Sequence, residues 1–295
     1  MHPVLKWQVL FTPGIDVNMK MLNQQEDEKI PLGIKPHPIA SESKETTNDD
    51  TEDEDVDDSS IFFDPEIFID TSYTSSKLEI NNTSLEIWAL HSASSTDFDL
   101  TGQIVWPACR VLALYLSHHP GLIGDRKTLE LGAGVGVAGL MAAKFSTNPN
   151  NVILTDHNEK VLDVLQKNID VNFDSAQEKA PLCAMLEWGS DADIFKNKYG
   201  TFEVILGADV IFWPDAIPLL FQTVGKLLKK KGGVFLLSYI NRNNIYSQLL
   251  KTEARSSGLD YLEIDLNESE HFKDIISQEK DAGRTVHLFK FFFPE

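Results

Sequence analysis

The sequence predicts an α/β domain whose mostly parallel sheet carries helices on both faces. Three observations support this fold class. From Lys127 onward, strand-like and helix-like segments alternate regularly. A glycine-rich turn, Gly132–Gly139, joins the first of these strands to a helix. With 42% hydrophobic residues among 295, the chain can also bury a sizeable core. Regular alternation implies parallel strands, because a crossover helix returns the chain to the same edge of the sheet.

The strands and helices are predicted from hydrophobic periodicity and from turn residues. Short apolar runs predict strands at Thr128–Leu131, Asn151–Thr155, Leu182–Leu186, Phe202–Leu206, Val234–Ser238, Tyr261–Ile264 and Thr285–Phe292. Helical spacing of apolar residues predicts helices at 106–117, Val137–Phe145, Glu159–Val171, Pro214–Lys230 and Asn244–Ser256. The last strand follows a segment that we expect to be a loop, so an antiparallel entry into the sheet is expected.

The N-terminal region differs in composition from the rest of the chain. Ten acidic residues lie between Glu42 and Asp58, against the single Lys44. Such a segment buries too little apolar surface to offset the entropy of ordering, so residues 1–60 are predicted to be disordered. This region is either a solubilising tail or a docking tail for a basic partner. Residues 61–295 form the predicted domain, with a small β element at 61–100 and the α/β core at 127–295.

Within the β element, alternating apolar residues predict strands on either side of an asparagine pair. The alternation covers Ile67–Ile69 and Leu85–Leu90, with Asn81 and Asn82 between them. We therefore expect this element to precede the main sheet.

Charge and cysteine content restrict the classes of function. The formal net charge of −19 disfavours nucleic acid, which requires a basic face, and suits a basic protein partner. Cys109 and Cys183 are too few for a disulfide framework or a zinc site and are expected to be buried, reduced thiols. We find no secretory signal, no membrane-spanning run and no histidine spacing typical of a metal site. These features predict a monomer in the cytoplasm, with the nucleus as a second compartment.

The glycine-rich segment is the most informative part of the sequence. Gly134, Gly136 and Gly139 match the dinucleotide pattern G-x-G-x-x-G, whereas Gly132, Gly134 and Gly136 match G-x-G-x-G after the acidic Glu130. Glycine at a strand-to-helix junction permits a tight turn and a close approach of the backbone to a ligand. The pattern by itself does not distinguish between nucleoside ligands.

An acidic residue at the end of the next strand strengthens the prediction of a nucleoside site. Asp156 follows the glycine turn by about twenty residues, where a carboxylate can accept hydrogen bonds from two ribose hydroxyls. A β element and a helix precede the turn, whereas NAD-binding folds usually open near the start of the domain. Together with Glu130 before the turn, this placement favours S-adenosylmethionine over NAD.

Five segments carry a family resemblance: Thr101–Pro107 (TGQIVWP), Glu130–Gly136 (ELGAGVG), Thr155-Asp156, Leu186–Gly189 (LEWG) and Gly207–Phe212 (GADVIF). From about Phe98 to the C-terminus, the chain resembles the seven-strand, class I methyltransferases. The resemblance is closest to the family-16 protein methyltransferases, which include several lysine-specific enzymes. It implies a Rossmann-like seven-strand methyltransferase fold and S-adenosyl-L-methionine as the cofactor.

The resemblance also implies the roles of individual residues. Cofactor contacts are implied for Trp106, Glu130, Gly132, Ala133, Gly134, Gly136, Asp156, Trp188 and Ala208. Asp209 and Phe212 are implied to be catalytic residues that border the acceptor channel. The sequence departs from the family pattern in two places: Phe212 replaces a frequent tyrosine, and Glu187 replaces a common aspartate.

Several of these residues have a second interpretation. Instead of contacting the cofactor, Trp106 and Trp188 could be aromatic residues of the core. Instead of acting in catalysis, Asp209 could be the N-cap of a helix near Pro214. Trp213 either lines the same channel or packs at the surface. Three residues after the fifth strand of the core are expected at the same edge, where they shape the choice of acceptor: Tyr239, Asn241 and Arg242.

The resulting hypothesis is a methyltransferase that acts by direct displacement on a protein side chain, with lysine as the expected acceptor. Arginine and histidine acceptors stay open. So do three alternatives: a small-molecule methyltransferase on the same fold, an NAD-dependent oxidoreductase and a non-catalytic binding module.

Overall fold

The computed structural model describes residues 72–90, 98–173, 179–241 and 246–295. The predicted disordered region 1–60 and the predicted strand Ile67–Ile69 lie outside these residues. The described part begins with a β-hairpin of β1 (Tyr73–Ile80) and β2 (Thr83–Leu90), which are antiparallel and joined at Asn81 and Asn82. A small N-terminal β element is thus present as expected: β2 and the turn at the two asparagines match the sequence prediction, whereas β1 was not predicted.

The main sheet has seven strands in the order β5-β4-β3-β6-β7-β9-β8. In chain order these strands are β3 (Thr128–Leu131), β4 (Val152–Asp156), β5 (Leu182–Met185), β6 (Val204–Ala208), β7 (Val234–Asn241), β8 (Asp260–Glu263) and β9 (Thr285–Phe292). Strands β3 to β7 pair in parallel. Strand β9 is antiparallel to both of its neighbours, β7 and β8, as expected for the last strand. The mostly parallel α/β fold predicted from the sequence is therefore confirmed.

Helices cover both faces of the sheet and separate the buried side chains into two hydrophobic clusters. The helices are α1 (Pro107–His118), α2 (Val137–Phe145), α3 (Glu159–Asn172), α4 (Ala192–Tyr199), α5 (Ala216–Leu227), α6 (Tyr246–Ser256) and α7 (Lys273–Asp281). One cluster contains residues of α1, α2, α3 and the hairpin, and the other contains residues of α4, α5 and α6. Among the described residues, no helix combines the length and the apolar character that crossing a bilayer requires.

The sequence analysis missed two short helices. The segment before the last strand, expected to be a loop, contains α7, and α4 was also not predicted. Both helices are eight or nine residues long and mostly exposed, so their apolar stripes are too narrow to create a clear period. In α7 only Ile275 and Ile276 pack against the core as partly buried apolar residues. Such helices form because tertiary contacts stabilise them, which local sequence does not report.

The parallel strands bring the predicted site segments to one edge of the sheet. Because neighbouring parallel strands end on the same side, the turn after β3, the end of β4 and the end of β6 lie next to each other. The sheet order also reverses at β3, since β4 lies on one side of it and β6 on the other. Ligands of open α/β sheets bind at such a reversal point.

Gly136 provides a test of the packing under the turn. It has φ +89°, and an added Cβ would lie 2.4 Å from Leu165 Cδ1, so Gly136→Ala combines backbone strain with overpacking. We expect the free energy of unfolding, measured by urea denaturation, to fall by about 2–4 kcal/mol. Gly121→Ala is the control, because no atom lies within 4 Å of its Cβ position. Equal stability of the two variants would contradict this interpretation.

Candidate functional site

The turn between β3 and α2 has a backbone that only glycine adopts readily. Gly132, Gly134 and Gly136 have φ values of +63°, +55° and +89°, all in the left-handed region. The intervening Ala133 N–H donates to the carbonyl of Thr155 at 2.8 Å, so the turn is held against the end of β4. An added Cβ on Gly134 would lie 3.0 Å from the carbonyl oxygen of Gly102, so the 98–103 segment passes directly beside the turn.

Asp156 lies at the end of β4 and hydrogen-bonds to this turn. Its Oδ2 accepts from the Gly134 N–H at 3.1 Å, and its Oδ1 accepts from the His157 N–H at 2.8 Å. The side chain is buried. The same Oδ1 also accepts from the Asn158 N–H at 3.3 Å. A carboxylate has about four acceptor positions, so these three bonds leave capacity for a further donor such as a ribose hydroxyl. The structure therefore brings together the predicted ribose-binding acid and the glycine turn.

Glu130 lies beneath the turn rather than on its open side. The residue is 2% exposed, and its Oε2 accepts from the Gly139 N–H at 2.9 Å in the first turn of α2. Helix N-termini contain N–H groups without intrahelical partners, so this carboxyl caps α2 from the neighbouring strand. Burial is the main cause that raises the pKa of Glu130 to about 8; the Gly139 hydrogen bond opposes this shift, and the nearby Asp156 adds a smaller upward contribution.

Trp188 packs against the turn at Gly132. Its ring carbon Cζ2 lies 3.2 Å from the position that a Cβ on Gly132 would occupy, and Val210 Cγ1 lies 2.8 Å from the same position. The half-buried Trp188 follows β5, and Val210 follows β6. Loops from three strands therefore meet at Gly132, which has no room for a side chain.

Three aromatic rings form a cluster beside the same edge. The centroids of Trp106 and Phe212 lie 6.2 Å apart, and those of Phe212 and Trp213 lie 4.8 Å apart in an edge-on arrangement. The Trp106 indole N–H donates to the Thr101 carbonyl at 2.7 Å, which fixes the ring at the start of α1. We call Trp106, Phe212 and Trp213 the aromatic cluster. All three rings are half-buried, so they lie neither fully in the core nor fully at the surface.

Asp209 follows β6, and its carboxylate hydrogen-bonds to β7 and to α1. It is a non-glycine residue with φ +53°, immediately after Ala208 at the end of β6. Its Oδ1 accepts from the Ile240 N–H at 3.0 Å, and its Oδ2 accepts from the Ala108 N–H at 3.3 Å. Helix α5 begins at Ala216 instead. The interpretation of Asp209 as the N-cap of the helix near Pro214 is therefore wrong; it binds the N-terminus of α1.

Other residues expected at this edge have different surroundings. Tyr239 is 2% exposed and its ring stacks on His287 with centroids 4.8 Å apart, so it belongs to the core rather than to an acceptor surface. Asn241 is also buried, as the last residue of β7. Glu187 is exposed. Arg242 lies outside the described residues.

The thiols and histidines of the described residues are arranged as follows. Cys109 and Cys183 are both unpaired; Cys109 is buried as predicted, whereas Cys183 is only half-buried. His118 and His119 point apart: His118 stacks on His271, and His119 stacks on Tyr115. In the part of the chain that the structure describes, no group of three or more His, Cys, Asp or Glu residues is arranged to hold a metal ion.

The sequence analysis missed a side chain that hydrogen-bonds to the turn. Asn168 on α3 is fully buried, and its Nδ2 donates to the carbonyl of Val135 at 2.9 Å. The available signal was a polar residue on the apolar face of an amphipathic helix, because buried amides require hydrogen-bond partners.

Comparisons of sequence and of fold relate this chain to known proteins. Residues 81–255 match the sequence model of a family described as lysine methyltransferase. The protein N-lysine methyltransferase METTL21A of Danio rerio is 33% identical over 124 residues, which cover 42% of this chain and 54% of the relative. The METTL21A of Mus musculus is 30% identical over 160 residues, covering 54% of this chain and 71% of the relative.

A third relative and a solved structure extend the comparison. EEF1A lysine methyltransferase 3 of Xenopus tropicalis is 32% identical over 140 residues, covering 48% of this chain and 58% of the relative. The chain thus spans little more than half of the zebrafish and frog relatives. The fold is similar to that of a putative SAM-dependent methyltransferase from Streptococcus mutans, with TM-score 0.51, 12% identity, and 74% and 55% of the two chains covered.

Glu130 predicts a specific pH dependence of stability. Its pKa is about 8 in the folded state against an ordinary value of 4.5. Between these pH values the carboxyl ionises in the unfolded chain but stays protonated in the folded chain, so the free energy of unfolding falls as the pH rises. Glu130→Gln keeps an acceptor for the Gly139 N–H and removes the charge. We expect the variant to gain stability over the wild type by about 1.4 kcal/mol per pH unit in this window, levelling off above it. Parallel stability curves for the two proteins, measured by urea denaturation, would exclude a buried ionisable carboxyl at this position.

Proposed function

Because the chain belongs to the lysine methyltransferase family, we propose that it transfers a methyl group from S-adenosyl-L-methionine to a lysine side chain of a protein. The observation that carries the proposal is the left-handed glycine turn bonded to the Asp156 carboxylate, next to the aromatic cluster at one sheet edge. The names of the relatives support the reaction: METTL21A and the EEF1A enzyme are called lysine methyltransferases.

The residues at this edge suit the parts of the cofactor. Asp156 has acceptor capacity for a ribose hydroxyl beside its three backbone bonds, and the left-handed turn offers backbone without side chains for the amino-acid end. The packing of Trp188 on Gly132 supports the proposal that its ring lies against the adenine. Ala208 and Trp106 complete the proposed contacts. Glu130 acts from below by capping α2, so its contribution to binding is the position of the turn.

The proposed mechanism is a direct displacement without a covalent enzyme intermediate. The cofactor would supply an electrophilic methyl group on a sulfonium. The lysine nitrogen, after losing a proton to solvent, forms the new N–C bond while the S–C bond breaks. The enzyme mainly aligns the reacting atoms, and such alignment contributes about 7–11 kcal/mol in well-oriented reactions.

Two features of the site act on the lysine amine in opposite directions. The aromatic cluster excludes water, which lowers the pKa of the amine and favours its reactive neutral form. Nearby carboxylate charge at Asp209 favours the cation. Both oxygens of Asp209 already accept backbone N–H bonds, so we assign it the orientation of the acceptor rather than proton removal.

The proposed acceptor is a protein with a basic surface around the target lysine. The formal net charge of −19 supports this choice, since complementary charge steers association. A monomer acting in the cytoplasm, with the nucleus as a second compartment, remains part of the proposal.

Incubation of the purified protein with methyl-labelled cofactor and cell extract tests the reaction and the acceptor class together. We expect a labelled protein band that yields methyllysine on hydrolysis. Label in methylarginine or methylhistidine would change the acceptor residue. Label only in a small product, or calorimetric binding of NAD without S-adenosylmethionine, would overturn the proposal.

Asp156→Asn tests the ribose contact. The neutral amide loses one acceptor and the charge that strengthens bonds from hydroxyls, so we expect the cofactor Kd to rise about ten- to hundredfold by calorimetry. The exposed Asp163 on α3 provides the matched control, Asp163→Asn, with an unchanged Kd. Equal affinities in the two variants would remove Asp156 from the cofactor site.

Asp209→Ala tests the acceptor side of the site. We expect cofactor binding to be retained within about threefold, while turnover falls at least about a hundredfold, because the acceptor loses its alignment. Asp215→Ala is the matched control, since Asp215 is exposed and makes no side-chain capping bond to α5. Turnover at the wild-type level in Asp209→Ala would exclude Asp209 from the mechanism.

A further inference from the structure

Two asparagines on α3 hydrogen-bond to the backbone of the N-terminal hairpin. Asn168 Oδ1 accepts from the Trp88 N–H at 2.7 Å, and Asn168 Nδ2 donates to the Trp88 carbonyl at 2.9 Å. Asn172 repeats the arrangement with Glu86, at 3.0 Å for the N–H and 2.6 Å for the carbonyl. Each amide therefore pairs with one residue of β2 as a neighbouring strand would.

The spacing of the two asparagines explains why the arrangement works. Residues four apart on a helix are separated by about 6 Å along its axis. Alternate residues of a strand are separated by nearly the same distance, about 6.8 Å. In an antiparallel pair, the peptide groups of alternate residues point away from the partner strand. The asparagines of α3 thus cover the edge of β2 that faces away from β1.

Asn168 makes one contact that Asn172 does not. Its second amide hydrogen is donated to the carbonyl of Val135 at 2.9 Å, between Gly134 and Gly136 in the glycine turn. Asn168 is 0% exposed, and these bonds use its amide oxygen and both amide hydrogens. The corresponding second bond of Asn172 goes to the carbonyl of Asn168, within its own helix.

We propose that Asn168 is a positioning residue that links the hairpin to the glycine turn and thereby sets the affinity for the cofactor. A second contact supports the link: the Tyr73 hydroxyl of β1 donates to Gln103, in the segment whose Gly102 carbonyl lies against Gly134. The hairpin is therefore connected to the turn by two routes, through Asn168 and through the 98–103 segment. This inference rests on the proposed function, because it concerns the same cofactor site.

Asn168→Asp tests the link with little change in volume. The carboxylate still accepts from the Trp88 N–H but offers an oxygen, instead of two N–H groups, to the carbonyls of Trp88 and Val135. The probe is S-adenosylhomocysteine, the product that remains when the cofactor has lost its methyl group. We expect its Kd, measured by calorimetry, to rise about tenfold. The KM for the cofactor should rise in parallel, with kcat nearly unchanged, because Asn168 does not contact the reacting atoms.

Asn172→Asp is the matched control. It also keeps one accepted bond and loses two donated ones, but neither lost bond reaches the turn. We expect both variants to lose thermal stability, whereas only Asn168→Asp loses affinity. Equal affinity losses in the two variants, or none in Asn168→Asp, would overturn the inference.

Hydrogen–deuterium exchange on the wild-type protein tests the link without any substitution. Binding at the turn should slow exchange of the Trp88 amide, because coupling between two sites is reciprocal. Unchanged exchange at Trp88 upon saturation with S-adenosylhomocysteine would overturn the link even if Asn168→Asp fails to fold. A wild-type protein that does not bind S-adenosylhomocysteine would instead contradict the proposed function, so the two failures are distinguishable.

Discussion

The hydrogen bond from the Gly134 N–H to the Asp156 carboxylate is the constraint on which the candidate site depends. It joins the turn after β3 to the end of β4, and the Ala133–Thr155 backbone bond reinforces the same junction. The turn follows this path only because its glycines tolerate left-handed backbone. A nucleoside bound at this edge would therefore meet a preformed turn and a carboxylate already oriented by backbone donors.

The acidic side chains of this site accept hydrogen bonds from the protein's own backbone. Glu130 caps α2 from a buried position, and Asp209 holds the start of α1 and the end of β7. Each carboxylate thus pairs with backbone N–H groups, which would destabilise the fold if they were buried without an acceptor. As a consequence, substitutions at these residues affect both the stability and the shape of the site. Binding and turnover therefore have to be measured separately to assign their roles.

The N-terminal hairpin is connected to this site as well as to the core. Its inward residues join the hydrophobic cluster shared with α1, α2 and α3, while Asn168 and Asn172 pair with its backbone. Since Asn168 also bonds to Val135, the hairpin is coupled to the turn by directional hydrogen bonds and not only by apolar packing. The family match begins at residue 81, so it includes β2 and leaves β1 outside.

The sequence by itself determined the α/β fold, the glycine turn and the placement of Asp156, because strand period, helix period and glycine tolerance are local properties. Strand β3 and helix α2 were predicted with the bounds that the structure shows. Helix α7 was not predicted at all, because it is short and its apolar stripe is narrow. Only the tertiary structure decided that Glu130 caps a helix, that Tyr239 lies in the core and that Asn168 bonds to Val135. These roles depend on which backbone groups or rings from other segments each side chain meets, and no local pattern in the sequence specifies such partners.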